Sequence, residues 1–126
     1  MPTPFDTYLQ QIAADYQGGK ATEHTYRSTL EQLLEALAPH IEASNDPKHI
    51  ACGAPDFIVE RNHVPLGYIE TKDVGDDLSK TEKSEQLKRY RTSLHNLILT
   101  DYLEFRWYVN GQHKLTTRLA TVQRRG

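Results

Sequence analysis

Pro55-Asp56-Phe57-Ile58-Val59-Glu60-Arg61-Asn62-His63-Val64-Pro65-Leu66-Gly67-Tyr68-Ile69-Glu70-Thr71-Lys72 is the stretch on which the reading of this sequence turns. Two short apolar runs, Phe57-Ile58-Val59 and Leu66-Gly67-Tyr68-Ile69, flank a polar segment, the pattern of a β-hairpin. A hairpin centred on His63 sets Asp56 opposite Glu70, with Cβ atoms about 5 Å apart. Side chains alternate between faces along a strand, so Lys72 shares the face of Glu70 and Thr71 points away. Two adjacent carboxylates repel each other unless a cation lies between them. Mg2+ suits such a pair, because it takes one or two carboxylates and keeps waters and a phosphate oxygen in its other positions. Lys72 adds a positive charge able to orient a water or to offset charge developing on a phosphate. The chemistry these residues fit is metal-assisted phosphodiester hydrolysis.

Upstream of the hairpin the periodicity is helical. Thr3-Pro4-Phe5-Asp6 has the N-cap, the N1 proline and the first-turn acid of a helix start. Phe5, Tyr8, Leu9, Ile12 and Tyr16 then follow helical spacing until Gly18-Gly19. A second helix begins near Thr22, with Tyr26, Leu30, Leu33, Leu34 and Leu37 on one stripe, and stops before Pro39. Ser44-Asn45-Asp46-Pro47 reads as a loop. Downstream, Ser79-x-x-Glu82 has the form of a capping box opening a third helix that runs to about Leu94. Asn96–Asp101 reads as a buried strand. Leu103, Phe105, Trp107 and Val109 alternate with polar neighbours up to the turn signal Asn110-Gly111, and a last strand is expected near Leu115–Ala120. The class expected is α/β, a mixed central sheet flanked by helices.

The whole chain has 126 residues, 25% of them charged and 37% hydrophobic. That is globular composition, enough for one domain over 1–126 that buries roughly 65% of its unfolded surface. Its one cysteine, Cys52, excludes an internal disulfide and a Cys-rich zinc site. The six histidines show no metal-ligand spacing. No apolar run approaches the ~20 residues of a membrane helix, so no membrane partner and a cytoplasmic location are expected. The net charge of −2 hides an asymmetry: residues 79–126 carry 10 basic and 4 acidic side chains, and the rest of the chain is acidic. Clustered Lys and Arg attract phosphate backbones, so the asymmetry is a hint, weak by itself, of a nucleic-acid partner.

Pro55-Asp56 followed by Glu70-x-Lys72 after a hydrophobic strand resembles the PD-(D/E)XK nuclease superfamily of restriction endonucleases and resolvases. The resemblance covers that family's αβββαβ core, here about residues 22–109. Gln86-Leu87-Lys88-Arg89-Tyr90 is similar to the QxxxY motif that follows the catalytic lysine in nuclease domains of type I restriction motor subunits and related helicase-nucleases. Glu23-His24-Thr25-Tyr26-Arg27 resembles the leading helix of such domains, whose glutamate often completes the metal site. More narrowly, the string from Cys52 to Tyr90 is similar to N-terminal nuclease domains fused to adenine-specific DNA methyltransferases in type I and type ISP-like restriction-modification enzymes.

What the resemblance implies is a restriction-endonuclease-like fold and a Mg2+-dependent endonuclease, with Mn2+ able to substitute. By it Asp56 and Glu70 bind the metal, the Thr71 carbonyl is a further ligand, and Lys72 is the catalytic lysine. Gln86, Tyr90 and Glu23 support the site, with Glu31 the substitute for Glu23. The basic residues Lys80, Lys83, Lys88, Arg89 and Arg91 are expected on the DNA backbone without reading bases. The chain would be a nuclease module of a longer restriction-modification protein, working with methyltransferase, motor or specificity domains. Two other readings stand beside it: a non-cleaving DNA-binding or docking module of the same fold, and a structure-selective nuclease of junction-resolvase type. For the bland alternatives, Glu23, Arg27 and Glu31 at four-residue spacing also make a surface ion-pair ladder. Tyr90 also fits a core position.

Overall fold

A computed structural model describes residues 2–45 and 53–122. Expectations placed on Asp46-Pro47, His49, Cys52 and the tail Arg124-Arg125-Gly126 fall outside those residues. The first helix, α1 (Pro4–Gly18), starts at the predicted N-cap: Thr3 accepts from the Asp6 amide, and the Asp6 side chain accepts in turn from the Thr3 amide. Gly19, at φ 66°, closes it in the left-handed conformation that glycine adopts without strain. The second, α2 (Glu23–Leu37), is capped by Thr22 as expected.

The chain then builds one sheet. Its strands are β1 (Ile41–Asn45), β2 (Phe57–Arg61), β3 (Val64–Thr71), β4 (Asn96–Thr100), β5 (Glu104–Val109) and β6 (Gln112–Arg118). They lie side by side in chain order. β3 and β4 run parallel and every other neighbouring pair is antiparallel. A parallel pair needs a crossover, which α3 (Leu78–Glu82) and α4 (Glu85–Ser93) supply. Helices lie against both faces. Tyr8 and Ile12 of α1 and Leu30 and Leu33 of α2 pack with Ala43, Phe57 and Ile69 on one side. Leu78, Leu87, Tyr90 and Leu94 pack with Leu97, Leu99 and Tyr108 on the other. Leu30, Phe57, Leu97 and Leu99 are wholly excluded from solvent. Each such side chain contributes roughly 1.5–3 kcal/mol of burial free energy.

Four expectations need correction. β1 replaces part of the expected loop. Ile41-Glu42-Ala43-Ser44-Asn45 is poor in strand-favouring residues, and Ala43 is buried against α2. The single helix expected from Ser79 to Leu94 is two. Asp77, not Ser79, caps α3 by accepting from the amides of Ser79 and Lys80. Ser84 caps α4 by accepting from the Leu87 amide, and the chain restarts there. Ser79 and Glu82 make no capping box: both accept from Arg106. Finally, β6 begins at Gln112 rather than Leu115, immediately after Asn110 and Gly111, whose φ values of 51° and 82° make the expected tight hairpin turn.

The hairpin that positions the carboxylates turns at Asn62-His63, with φ 51° and 66°, and is not centred on His63 alone. From that turn the pairs run Arg61↔Val64 and Glu60↔Pro65, then shift to Val59↔Gly67 and Phe57↔Ile69. Leu66 is the extra residue, a β-bulge. The bulge restores the register expected of Asp56 and Glu70, which follow the Phe57–Ile69 pair at the open end of the hairpin. No helix among the described residues is long and apolar enough to cross a membrane.

Candidate active site

Asp56 and Glu70 are locked to each other by backbone bonds as well as by register. The Asp56 amide donates to Glu70 Oε1 at 3.2 Å. The Thr71 amide donates to Asp56 Oδ2 at 2.8 Å. The Thr71 hydroxyl donates to the same oxygen, also at 2.8 Å. Here the structure departs from simple strand alternation, which aimed Thr71 away. Asp56 lies just before the first residue of β2, where its side chain is free to fold across the end of β3 and meet Thr71.

Glu70 is 5% exposed. Burial, then the neighbouring Asp56 charge, pushes its carboxyl up to about 7, against an opposing pull from Lys72. Lys72 Nζ lies 3.8 Å from Glu70 Oε2. The Lys72 amide donates to the Thr100 carbonyl at 2.8 Å, extending the β3–β4 pairing past the end of β3. The three residues singled out by sequence therefore meet, at the ends of β2 and β3.

The other expected residues divide. Glu23 reaches Asp56 only through Arg27, whose Nη2 donates to Glu23 Oε1 and to Asp56 Oδ1, each at 2.6 Å. Gln86 Nε2 donates to the Tyr90 hydroxyl at 3.3 Å. Tyr90 is 1% exposed and belongs to the apolar cluster under α4. Its ring packs on Gly53: a Cβ there would lie 3.2 Å from Tyr90 Cε1 and press on the ring, and the Gly53 φ of 126° also favours glycine. Lys80, Lys83, Lys88 and Arg89 are exposed. Arg91, grouped with them by sequence, turns inward. It donates to the Gly111 carbonyl at 2.8 and 3.2 Å, pairs with Glu82, and stacks 4.5 Å over the Tyr108 ring. It ties α4 to the β5–β6 turn.

Tyr102 is a neighbour of the site that sequence reasoning missed. Thr71, Arg27, Asp56 and Glu23 all act electrically on its buried hydroxyl, and desolvation pushes the phenol up to about 12. Its backbone is left-handed, at φ 75°, an arrangement costing an aromatic residue about 1–3 kcal/mol. The turn that holds it is over-determined. The Tyr102 amide donates to Thr100 Oγ1, Asp101 Oδ1 accepts from the amides of Leu103 and Glu104, and the Tyr8 hydroxyl donates to the Tyr102 carbonyl. Only the turn-forming character of Thr100-Asp101 is visible in the sequence.

Among the described residues, no group of three or more His, Cys, Asp or Glu side chains gathers to hold a metal. The donor set is two carboxylates with the backbone of Thr71 between them and Lys72. That composition fits Mg2+, which needs no third carboxylate.

The architecture defined by these elements is a mixed α/β fold of the restriction-endonuclease-like kind. No protein-family model matches the sequence, and no curated protein matches it. A cryo-electron-microscopy structure of a DrdV–DNA complex shares the fold, with a TM-score of 0.74 at 21% sequence identity. The match covers 92% of this chain and 12% of that one.

Proposed function

We propose that this chain is the nuclease module of a restriction-modification protein, a Mg2+-dependent deoxyribonuclease. The observation that carries the reading is the Asp56–Glu70 pair, Glu70 buried and Asp56 half-buried, held in register with Lys72 3.8 Å from Glu70. That the fold recurs in a DrdV–DNA complex, as a small part of a much longer chain, supports both the DNA substrate and the modular organisation. In this reading Asp56, Glu70 and the Thr71 carbonyl hold the cation. The cation supplies Lewis-acid polarisation of the phosphate and a more acidic water. Thr71 fixes the Asp56 carboxylate through two hydrogen bonds, so the carboxylate itself stays in place when the site fills. Lys72, half-exposed beside Glu70, orients the attacking water and offsets negative charge developing on the phosphate oxygens. Tyr90 packs on Gly53, just upstream of Asp56. The exposed Lys80, Lys83, Lys88 and Arg89 hold the DNA backbone.

Nicking of supercoiled plasmid tests the reading. The chain is expected to nick with Mg2+ or Mn2+ and to stop when the metal is chelated. Asp56→Ala and Lys72→Ala should each lower the rate by at least about 100-fold, the scale of losing a positioned charge at a transition state. Cutting that survives both substitutions would overturn the assignment. DNA binding without cutting, unaffected by Asp56→Ala, would favour the non-cleaving module instead.

A further inference from the structure

Arg27 lies between two carboxylates of unequal exposure. Its Nη2 is 2.6 Å from Glu23 Oε1 and 2.6 Å from Asp56 Oδ1. The Glu23 side chain is 63% exposed, whereas those of Arg27 and Asp56 are 14% and 17% exposed. The Asp56 pairing is thus the less screened of the two, and stronger for that reason. It also falls on a particular oxygen. Asp56 Oδ2 already accepts from the amide and hydroxyl of Thr71. Arg27 holds Oδ1, the oxygen those bonds leave for a cation.

A guanidinium and a divalent ion held on one carboxylate oxygen lie close enough to repel each other strongly. A cation that binds at Asp56 Oδ1 therefore favours the departure of Arg27 from that oxygen. α2 provides a place for it to go, because Glu23, one turn earlier, already accepts from the same nitrogen.

We infer that Arg27 is the resident counter-cation of the site. A divalent cation binding at Asp56 displaces it onto Glu23. The inference rests on the reading of Asp56 and Glu70 as a cation site and goes beyond it in two respects. Arg27 becomes the positioning residue that holds the Asp56 carboxylate in place before the metal arrives, and lowers its affinity for the metal. Glu23 becomes the receiver of Arg27 rather than a metal ligand. Coupling of this kind is reciprocal: what weakens the hold of Arg27 on Asp56 tightens the hold of the cation there, by the same factor.

Calorimetric titration with Mn2+, together with the Mn2+-induced rise in Tm, tests the exchange without any measurement of cleavage. The chain should bind Mn2+ and Asp56→Ala should not. Arg27→Gln should bind about tenfold tighter, the scale of removing one close charge whose field is largely screened by solvent. Its Tm should be lower than that of the unsubstituted chain without metal and rise further when metal is added. Glu23→Gln, which removes the receiver, should weaken binding by about threefold, and this loss should vanish in the Arg27→Gln/Glu23→Gln double variant. If Arg27→Gln does not fold without metal, Arg27→Lys carries the comparison. It keeps the charge on a shorter, more flexible side chain that reaches Asp56 less well, and should bind Mn2+ more tightly than the unsubstituted chain. Equal or weaker binding by the Arg27 variants would overturn the inference. So would a Glu23→Gln loss that persists in the double variant, which would make Glu23 a ligand. Absence of any Asp56-dependent binding in the unsubstituted chain is a different failure: the cation site itself would fall, and this inference with it.

Discussion

Glu70 is a buried carboxyl beside another carboxylate, and it makes the chain's stability depend on pH in a direction opposite to that of a salt-bridged acid. Its folded pKa stands at about 7 against 4.5 for the free side chain. A raised value means that the folded state holds the proton more tightly. The stabilising contribution is therefore complete below pH 4.5 and is lost as pH climbs through 7. Without divalent metal, thermal unfolding followed at pH 5 and pH 8 should show this loss in the unsubstituted chain. Glu70→Gln, which has no charge to bury, should flatten the trend and unfold at a higher temperature than the unsubstituted chain at pH 8. Were the variant less stable at pH 8, Glu70 would not be strained in its place. At this scale the sequence is informative: Asp56, Glu70 and Lys72 meet as their spacing requires. It is silent on Arg27 as a partner of Asp56, since an i,i+4 ladder with Glu23 explains the same residues, and only the packing of α2 against the sheet brings in the third member. It is silent on Tyr102 too: Thr100 and Asp101 signal a turn, but not that the Tyr8 hydroxyl, far away in sequence, ties down the Tyr102 carbonyl.

At the scale of elements, the site depends on a bulge. Without Leu66 as an extra residue, Gly67 to Thr71 would slip by one position against β2, and a slip of one turns every side chain to the other face. The bulge is not legible, because nothing in Val64-Pro65-Leu66-Gly67 distinguishes a two-residue turn with a bulge from a longer symmetric loop. The expected pairing is nevertheless right, since both give Asp56 the same partner. Gly67 itself has a legible reason only in three dimensions. A Cβ there would lie 2.9 Å from the Asn96 carbonyl, so β3 and β4 approach closely enough to exclude a side chain. Gly67→Ala should destabilise the chain by about 1–3 kcal/mol, the range for an overpacked site, seen as a lower urea midpoint with an unchanged slope. The paired capping signals of Ser79 and Ser84 show the opposite limit. Ser79 and Ser84 lie five residues apart in one charged stretch, and the helix starts fall at Asp77 and Ser84.

For the whole molecule, the basic C-terminal part divides into residues that face outward and residues that hold the fold. Lys80, Lys83, Lys88 and Arg89 are exposed, whereas Arg91 and Arg106 are tied to Glu82, and Arg106 also to Glu104. Composition cannot separate the two groups, because the partners of Arg91 lie on α3 and in the β5–β6 turn. Lys88→Ala/Arg89→Ala should leave unfolding unchanged, weaken DNA binding and reduce the slope of log K against log salt by up to about 0.9 for each phosphate no longer neutralised. Arg91→Ala should do the reverse, costing about 1–3 kcal/mol of stability as its charged hydrogen bonds disappear while altering the salt slope little. A salt slope that falls as far for Arg91→Ala would mean that the division is wrong.

The central claim is that the open end of the β2–β3 hairpin is the cation site of a phosphodiester hydrolase. Paramagnetic broadening of backbone amide resonances by substoichiometric Mn2+ locates such a site directly. The account predicts that the amides of Asp56, Phe57, Glu70, Thr71 and Lys72 broaden first, and that Asp56→Ala abolishes the effect. Broadening centred instead on the acids of the Asp73–Asp77 loop, or unchanged by Asp56→Ala, would contradict it.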